Sequence, residues 1–576
     1  MSDRRAVHAT PRATTVSAPG KVLVAGGYLV LDPAYTGLVL ATSARFYTSV
    51  AAHESTSNMP VVRVRSPQFV DAEWSYAVQL SEDMTDSVDF ASALRLRVTG
   101  RANPFVAFAL LYTLHISVEL LGIDAFKDVL GGGLDVVIAG DNDYYSHRRD
   151  GRAPSLDELR ALPPRAALGC TLDEVHKTGL GSSAAMTTSL IAALLLHLGV
   201  AECDNHSQLT LAAKGLIHNV AQLAHCAAQG KVGSGFDVSA SVWGSQLYRR
   251  YDPALIKKLM REEMGRRILA ADATSMLPYD KLALLPTLNA HNSLWVPVPP
   301  RGTHSVPTAG EGLIELARAQ GGDISDIARP APLQLPPGVL LCLADVDSGS
   351  NTRTLVGSVS EWRAKKPEWA AQLYRVIAAA NRSVSDGLLN LHIAFSNDSA
   401  EYSAVIRALA ARPSTEWDAY RTASPSSTAD AFIEVRNAIR SVRGGMRELG
   451  RLSGAPVEPI EMTRLVDATV AGASGILGAG VPGAGGYDAI YVLYLCPEAM
   501  GGNPAQYGAP AEVCRVWASW SELSVGPLLC GVDSPGAPTV PARSFPGTVE
   551  SLDKVLHGLA SRHGGLRIEG DVVLHT

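Results

Sequence analysis

Four stretches of the sequence combine glycine with residues that can handle phosphate or charge. The segment Lys177–Met186, KTGLGSSAAM, leads straight into the apolar run TTSLIAALLL. Its glycines let the backbone approach a ligand, and the first amides of the following helix point outward without partners. With the helix dipole behind them, such amides make an anion site, and a polyphosphate is the usual occupant. Ser182 and Ser183 add hydroxyls that can meet phosphate or a magnesium ion. Lys21, within Val16–Asp32 (VSAPGKVLVAGGYLVLD), sits between Gly20 and an apolar strand. Its stem is thereby anchored while its ammonium can point into a cleft. Asp237 follows Gly233-Ser234-Gly235, where little side-chain bulk shields the carboxylate. The fourth stretch, Gly475–Leu495, holds GxGxxG from Gly478 to Gly483. Pro482 and the pair Gly485–Gly486 mark a tight turn there that lines a site.

Each of these residues also has a purely structural reading: a lysine at a strand start, a glycine-rich helix cap, an Asx turn. A P-loop is excluded, because both Gly-Lys pairs, Gly20–Lys21 and Gly230–Lys231, are followed by valine. Gly179–Ala184 does fit GxGxxA, with Glu202 downstream. A dinucleotide fold, however, needs a buried strand directly before the glycines, and DEVHKT is mostly polar. In the fourth stretch the order is reversed, with a helical segment leading in and a strand leading out.

The elements that must position these residues read as follows. Short strands are expected at Val22–Ala25, Tyr28–Leu31, Leu38–Ala41, Val61–Val64, Leu94–Val98 and Leu134–Ala139. A helix over 105–122 opens at Asn103–Pro104, and further helices span 183–200 and 208–228. Residues 141–165 are polar and read as a surface excursion, and 238–251 read as extended. A Pro-rich loop occupies 296–337. Beyond it come a strand at Val339–Asp345, helices over 359–395 and 430–452, and strands at Ala489–Leu495 and Val516–Ser519. Strands and helices do not strictly alternate, which favours α+β over a doubly wound parallel sheet.

The chain has 576 residues, 47% hydrophobic and 18% charged, with a net charge of −6. That balance excludes wholesale disorder and offers no whole-chain basic footprint for nucleic acid. The length suggests about three to five domain-sized units, or two enlarged ones. Seven cysteines without a CxxC pair read as reduced thiols. No apolar run follows the arginines of MSDRRAVHATPRATT, and VVLHT is neither a prenylation box nor a peroxisomal address. Phe105–Leu121 and Leu190–Val200 are too short, or carry Glu119 or His197, to read as membrane spans. A cytoplasmic protein without membrane or nucleic-acid partners is expected, its oligomeric state open.

Together the stretches resemble the GHMP kinase superfamily. SAPGKVLVAGGY looks like its first motif, KTGLGSSAAM its second and VPGAGGYD its third, in matching order over most of residues 14–500. AHCAAQGKVGSGFDVSASVWGSQLYRRY, DNDYYS at 141–146 and DVDSGSNTRTLVGSV at 345–359 are similar to the fungal-type phosphomevalonate kinases. The resemblance implies a two-lobed α+β fold. Residues 14–255 would form an N-terminal ATP-binding lobe like domain 2 of ribosomal protein S5. Residues 256–337 would be a linker or insert, and 338–576 a ferredoxin-like lobe. It implies ATP and 5-phosphomevalonate as substrates, Mg²⁺ as cofactor, and 5-diphosphomevalonate as product on the mevalonate route to isoprenoids and sterols. Another small-molecule kinase of the superfamily, such as mevalonate kinase, is the alternative.

Carried over by motif, Lys21 and Asp237 take the catalytic places. Lys177, Thr178, Gly179, Leu180, Gly181, Ser182, Ser183, Ala184 and Ala185 hold ATP, with Ser183 near the metal. Asn142 and Tyr144 lie toward the nucleotide. Lys231, Ser234, Arg249, Arg353 and Gly485 face the acceptor, with Lys177 and Arg250 as further candidate cations for its phosphate. One departure stands out. The mevalonate kinase branch has a magnesium-binding glutamate eleven residues before its aspartate, and here that position is Cys226, with His225 beside it. Neither is a good ligand for Mg²⁺, which prefers oxygen.

Overall fold

The computed structural model describes residues 13–53, 59–80, 94–204, 208–260, 284–295, 330–346, 352–500 and 509–533. Its first half is built on a long antiparallel ribbon, β1 (Ala13–Ala25) with β2 (Gly37–Ala52). The register shifts between Pro19 and Lys21: Pro19 pairs with Arg45 and Lys21 with Ala41, so β2 carries the extra residues, Thr42–Ala44, opposite Gly20. Such a bulge breaks the ladder locally, beside the lysine. The sheet adds β3 (Val61–Arg65), β4 (Glu73–Leu80), β5 (Leu94–Thr99), β6 (Gly133–Gly140), β7 (Gln246–Tyr248) and β8 (Ala331–Pro332). Its order is β5-β4-β3-β6-β2-β7-β8, with β1 on β2, and only β3 and β6 run parallel.

Four helices pack with this sheet: α1 (Pro104–Leu121), α2 (Ser182–His197), α3 (Leu211–Gln229) and α4 (Phe236–Trp243). Pro104 sits in the first turn of α1, and the Asn103 side chain accepts from the Phe105 and Val106 amides, a strong start signal. By length and hydropathy α1 would suffice to cross a membrane. Instead Val106 through Val118 are buried in the core. The charge in this greasy run is also explained. Glu119 accepts the Leu284 and Leu285 amides at 2.7 and 2.8 Å, with His115 3.2 Å away.

The second half is a four-stranded antiparallel sheet of β9 (Val339–Val346), β10 (Ile476–Gly480), β11 (Ala489–Leu495) and β12 (Val525–Pro527), in the order β10-β11-β9-β12. Helices α5 (Thr352–Lys365), α6 (Pro367–Asn397), α7 (Ser399–Ala410), α8 (Ser427–Ser453) and α9 (Ile460–Ala471) separate β9 from β10. Helix α10 (Ala511–Ser519) separates β11 from β12. The order and crossovers are those of a ferredoxin-like βαββαβ unit. Strand β9 reads as unbroken apolar sequence from Val339 to Ala344 because both its faces are covered there. Leu340, Cys342 and Ala344 pack with Met462, Leu465 and Trp517, while Val339, Leu341 and Leu343 join the main core. That main core also contains Val16, Phe108 and Leu190, so one hydrophobic cluster runs through both lobes.

Several expectations need correction. Tyr28–Leu31 belongs to a 3-10 turn, Gly27–Leu31, because the Tyr28 ring is drawn against the second lobe. Residues 238–251 start as helix α4, and Val516–Ser519 ends α10; both have buried apolar residues on one helical face. Strand β4 has no counterpart among the expected elements. Helix α9 is the helical segment expected to lead into the fourth stretch and β11 the strand that leads out, while Gly478 and Gly480 themselves lie in the added strand β10. Of the segment 256–337, residues 261–283 and 296–329 lie outside the described residues, as do 347–351 and 534–576.

Residues 141–165 are not a mere excursion. Arg148 donates to the Asp345 carboxylate at 2.9 Å and to the Ser524 carbonyl at 3.1 Å, joining the lobes. Asp143 accepts the Leu529 and Cys530 amides. Residues 528–533 leave β12 and strap the first lobe: Gly531 accepts the Ser43 amide and Asp533 pairs with Arg45 at 2.8 Å. Arg148 and Asp345 side chains are 9% and 8% exposed. Removing one partner would strand a buried charge. Arg148→Ala is therefore expected to cost about 3–5 kcal/mol, read as a lowered urea midpoint; an unchanged midpoint would show the pair to be solvated.

Candidate active site

Helix α2 begins at Gly181, which is left-handed and offers no side-chain cap. Its first amides are therefore presented outward, as anion binding requires. The loop before it is fastened to β1 twice through one residue. The Lys21 amide donates to the Leu180 carbonyl at 2.9 Å, and Lys21 Nζ donates to the Gly179 carbonyl at 2.7 Å. Glycine is needed at 181: φ is +80°, and a Cβ would stand 3.0 Å from Lys21 Cε and 3.1 Å from Cγ. On the other side the Thr178 hydroxyl donates to the Asp143 carbonyl and its amide to Tyr144. Leu180, Ala184 and Ala185 are buried, whereas Ser182 and Ser183 are half-buried and Lys177 is exposed.

The Lys21 ammonium lies 5.6 Å from the centre of the Phe236 ring. Burial lowers its pKa below 10.5, opposed by the charges of Asp237 and Asp488. Asp237 enters from the first turn of α4, its Oδ1 held by the Val238 amide. The helix start and the two glycines before it leave this carboxylate partly open, at 22% exposure. Thus loop, lysine and aspartate converge although they come from three separate elements.

Two members of this constellation were not assigned from sequence. Asp488 closes the string VPGAGGYD, and a Cβ on Gly179 would stand 3.8 Å from its Cβ. His225, not Cys226, faces the site: its Nε2 is 3.0 Å from Ser183 Oγ and 3.9 Å from Asp237 Oδ2. Burial lowers the His225 pKa, with Asp237 opposing and Lys231 adding to the effect. Cys226 is buried, with Sγ 3.7 Å from the Tyr251 hydroxyl. The signal available was the i, i+4 pair His225–Gln229 on the last turn of α3.

Other candidates are placed differently. Tyr144 is fully buried, its hydroxyl donating to the Ala44 carbonyl beneath Gly20. The Asn142 amide spans Pro163 and Ala166. The 3-10 turn over 142–144 folds Tyr144 inward, where it supports the loop rather than an open face, while Asn142 stays half-buried. Arg250 is buried and donates to the carbonyls of Leu31, Val232 and Gly233, so it staples the glycine loop and is not an open cation. Gly485 has φ +81°, and a Cβ there would overlap the Val457 carbonyl; its part is to shape the turn. Arg249 reaches Thr36 at 3.4 Å, Lys231 is exposed, and Ser234 accepts from the Tyr248 hydroxyl. Arg353 stands in the first turn of α5, with its side chain outside the described residues.

The fourth stretch docks on β1. The Gly483 amide donates to Leu23 and the Tyr28 hydroxyl to Ala484 at 2.6 Å. Gly26, Gly27, Gly483 and Met446 help to line a cleft there. No cluster of three or more His, Cys, Asp or Glu that could cage a metal occurs among the described residues.

A ferredoxin-like lobe joined to a lobe whose glycine loop crosses a lysine strand defines a GHMP-type kinase, and the GHMP kinases N terminal domain model matches residues 170–245. The peroxisomal phosphomevalonate kinase of Arabidopsis thaliana is 33% identical over 84% of this chain and 90% of its own. Phosphomevalonate kinase erg8 of Aspergillus fumigatus is 32% identical over 84% and 87%. The chain belongs to the phosphomevalonate kinase family. A solved Streptococcus pneumoniae phosphomevalonate kinase, in complex with phosphomevalonate and AMPPNP, is similar at 13% identity and a TM-score of 0.43, covering 88% of this chain and 96% of that one.

Gly181→Ala tests the loop. A left-handed alanine costs about 1–2 kcal/mol, and its methyl would displace the Lys21 stem. Nucleotide affinity by calorimetry is expected to fall about ten-fold, with the thermal midpoint showing a folded protein. Unchanged affinity would show that the loop does not hold the nucleotide.

Proposed function

We propose that this chain is an ATP-dependent kinase that converts (R)-5-phosphomevalonate to (R)-5-diphosphomevalonate, on the mevalonate route to isoprenoids and sterols. The observation that carries the reading is the double anchorage of Lys21 on the 179–180 loop at the outward end of α2. It sets a cation beside free helical amides, in a chain whose full-length relatives are phosphomevalonate kinases.

Phosphoryl transfer asks for position and for stabilisation of the charge that spreads over the moving group. The amides of Ser182 and Ser183 receive the ATP phosphates, and Lys21 meets the developing charge. Mg²⁺ fits as cofactor. The Ser183 hydroxyl and the Asp237 carboxylate both stand around His225 Nε2, at 3.0 and 3.9 Å, and this ion takes one or two carboxylates plus substrate phosphates rather than a full protein cage. When bound it would neutralise charge on the phosphates.

A phosphomonoester has its second pKa near ~6, so at neutral pH the acceptor is already a dianion. Asp237 then has no proton to remove, and its task is to orient Lys21 and the metal. Extra cations must offset the dianion beside ATP. Lys231, Lys177, Arg249 and Arg353 are the candidates, with Ser234 beside Lys231. We place the protein in the cytoplasm. None of the seven cysteines, all of them described, forms a disulfide, which fits a reducing compartment.

ADP release should follow phosphomevalonate and not mevalonate, with no CO₂. Release with mevalonate instead would replace the reading by mevalonate kinase. The pH dependence has a definite sign. Because Lys21 is held below 10.5, its ammonium is lost earlier on the alkaline side than that of an ordinary lysine, and kcat should fall there. Lys21→Arg keeps its charge and should be slower but lack that limb. Asp237→Asn should lose rate without acquiring the slope of a missing base between about pH 5 and 8.

A further inference from the structure

His225 stands at the last turn of α3 with its side chain only 5% exposed. The Phe105 ring walls it at 5.6 Å between centroids. Three polar groups share its Nε2: Ser183 Oγ at 3.0 Å, the Gln229 side-chain nitrogen at 3.2 Å and Asp237 Oδ2 at 3.9 Å. In this orientation the Gln229 amide turns its nitrogen to Nε2 and donates, which makes Nε2 an acceptor and leaves the proton of the neutral ring on Nδ1. A serine hydroxyl has one proton and two lone pairs. If Nε2 takes the proton, both lone pairs of Ser183 Oγ are left for whatever lies in the gap. An Nε2–H would reverse this, drawing one lone pair away.

We propose that His225 is a positioning residue for phosphoryl transfer: as a neutral acceptor it turns the Ser183 hydroxyl so that its oxygen faces the metal–nucleotide complex, and it spaces Ser183 from Asp237. The proposal rests on the kinase reading above. It gives His225 no contact with substrate and no part in proton transfer to the acceptor. It also accounts for Cys226 standing in the core: the polar member of the pair is the one on the face of α3 that looks at α2. An uncharged ring here does the orienting without a further negative charge beside two phosphate-bearing substrates.

The test uses the full-length protein and two variants. His225→Leu keeps the bulk and removes the acceptor, whereas His225→Gln returns a polar acceptor near the same point. Mn²⁺ affinity of the protein–AMPPNP complex, read by electron paramagnetic resonance, is expected to weaken about 10–100-fold in His225→Leu. His225→Gln should recover most of that loss. In turnover, kcat should fall in His225→Leu while KM for phosphomevalonate stays within about three-fold. Nitrogen-15 spectra of labelled histidine should show Nδ1 protonated and Nε2 bare. If His225→Leu does not fold, the spectra and His225→Gln decide. An Nε2–H ring, or unchanged Mn²⁺ affinity in a folded His225→Leu, overturns the proposal. The Mn²⁺ measurement contains no acceptor. A wild type inactive on phosphomevalonate would therefore sink the kinase assignment while leaving the role of His225 to be decided separately.

Discussion

The site depends on one short contact, the pairing of Lys21 with the carbonyls of Gly179 and Leu180. A glycine loop alone has too much freedom to hold its amides in one direction, because glycine loses the most conformational entropy on ordering. Tying it to β1, which pairs with β2 along nearly its whole length, removes that freedom. The same bonds fix the ammonium beside the outward amides of α2. The bare backbone of Gly20 makes the contact possible. A Cβ there would collide with Thr42 Oγ1, the Leu180 carbonyl and the Tyr144 hydroxyl.

The lobes are held as firmly as the loop. A common hydrophobic cluster, the Arg148–Asp345 pair and the strap over 528–533 all cross the boundary. Tyr28 and Gly483 carry the fourth glycine stretch onto the end of β1. Asp488 thereby reaches the surroundings of Lys21 from the second lobe. Two carboxylates from different lobes then favour the charged lysine against the desolvation that opposes it.

Much of the site was legible because its chemistry is local. A Gly/Ser run against an apolar helix, a lysine between a glycine and an apolar strand, and an aspartate after two glycines each act through their own backbone. The long helices at 104–121, 182–197 and 211–229 were equally readable from apolar spacing and caps. Residues that act through distant partners were misread. Tyr144 looked like a ligand contact and proved to be a buried support, and Arg250 looked like an open cation and proved to be bonded to three carbonyls. The polar stretch 141–165 looked solvated, yet its charges find partners hundreds of positions away, at 345, 524 and 529–530.

By itself the sequence determined the Gly/Ser loop before its helix, the lysine and aspartate, the α+β class and the family resemblance, since spacing along one chain encodes local backbone geometry. Only the tertiary structure decided that His225 rather than Cys226 faces Ser183, that Asp488 joins Lys21, and that the tail straps the first lobe. The physical reason is directional. Which way a side chain on α3 points, and what meets it there, is set by how α2, α3 and α4 pack, and that packing involves the whole core at once.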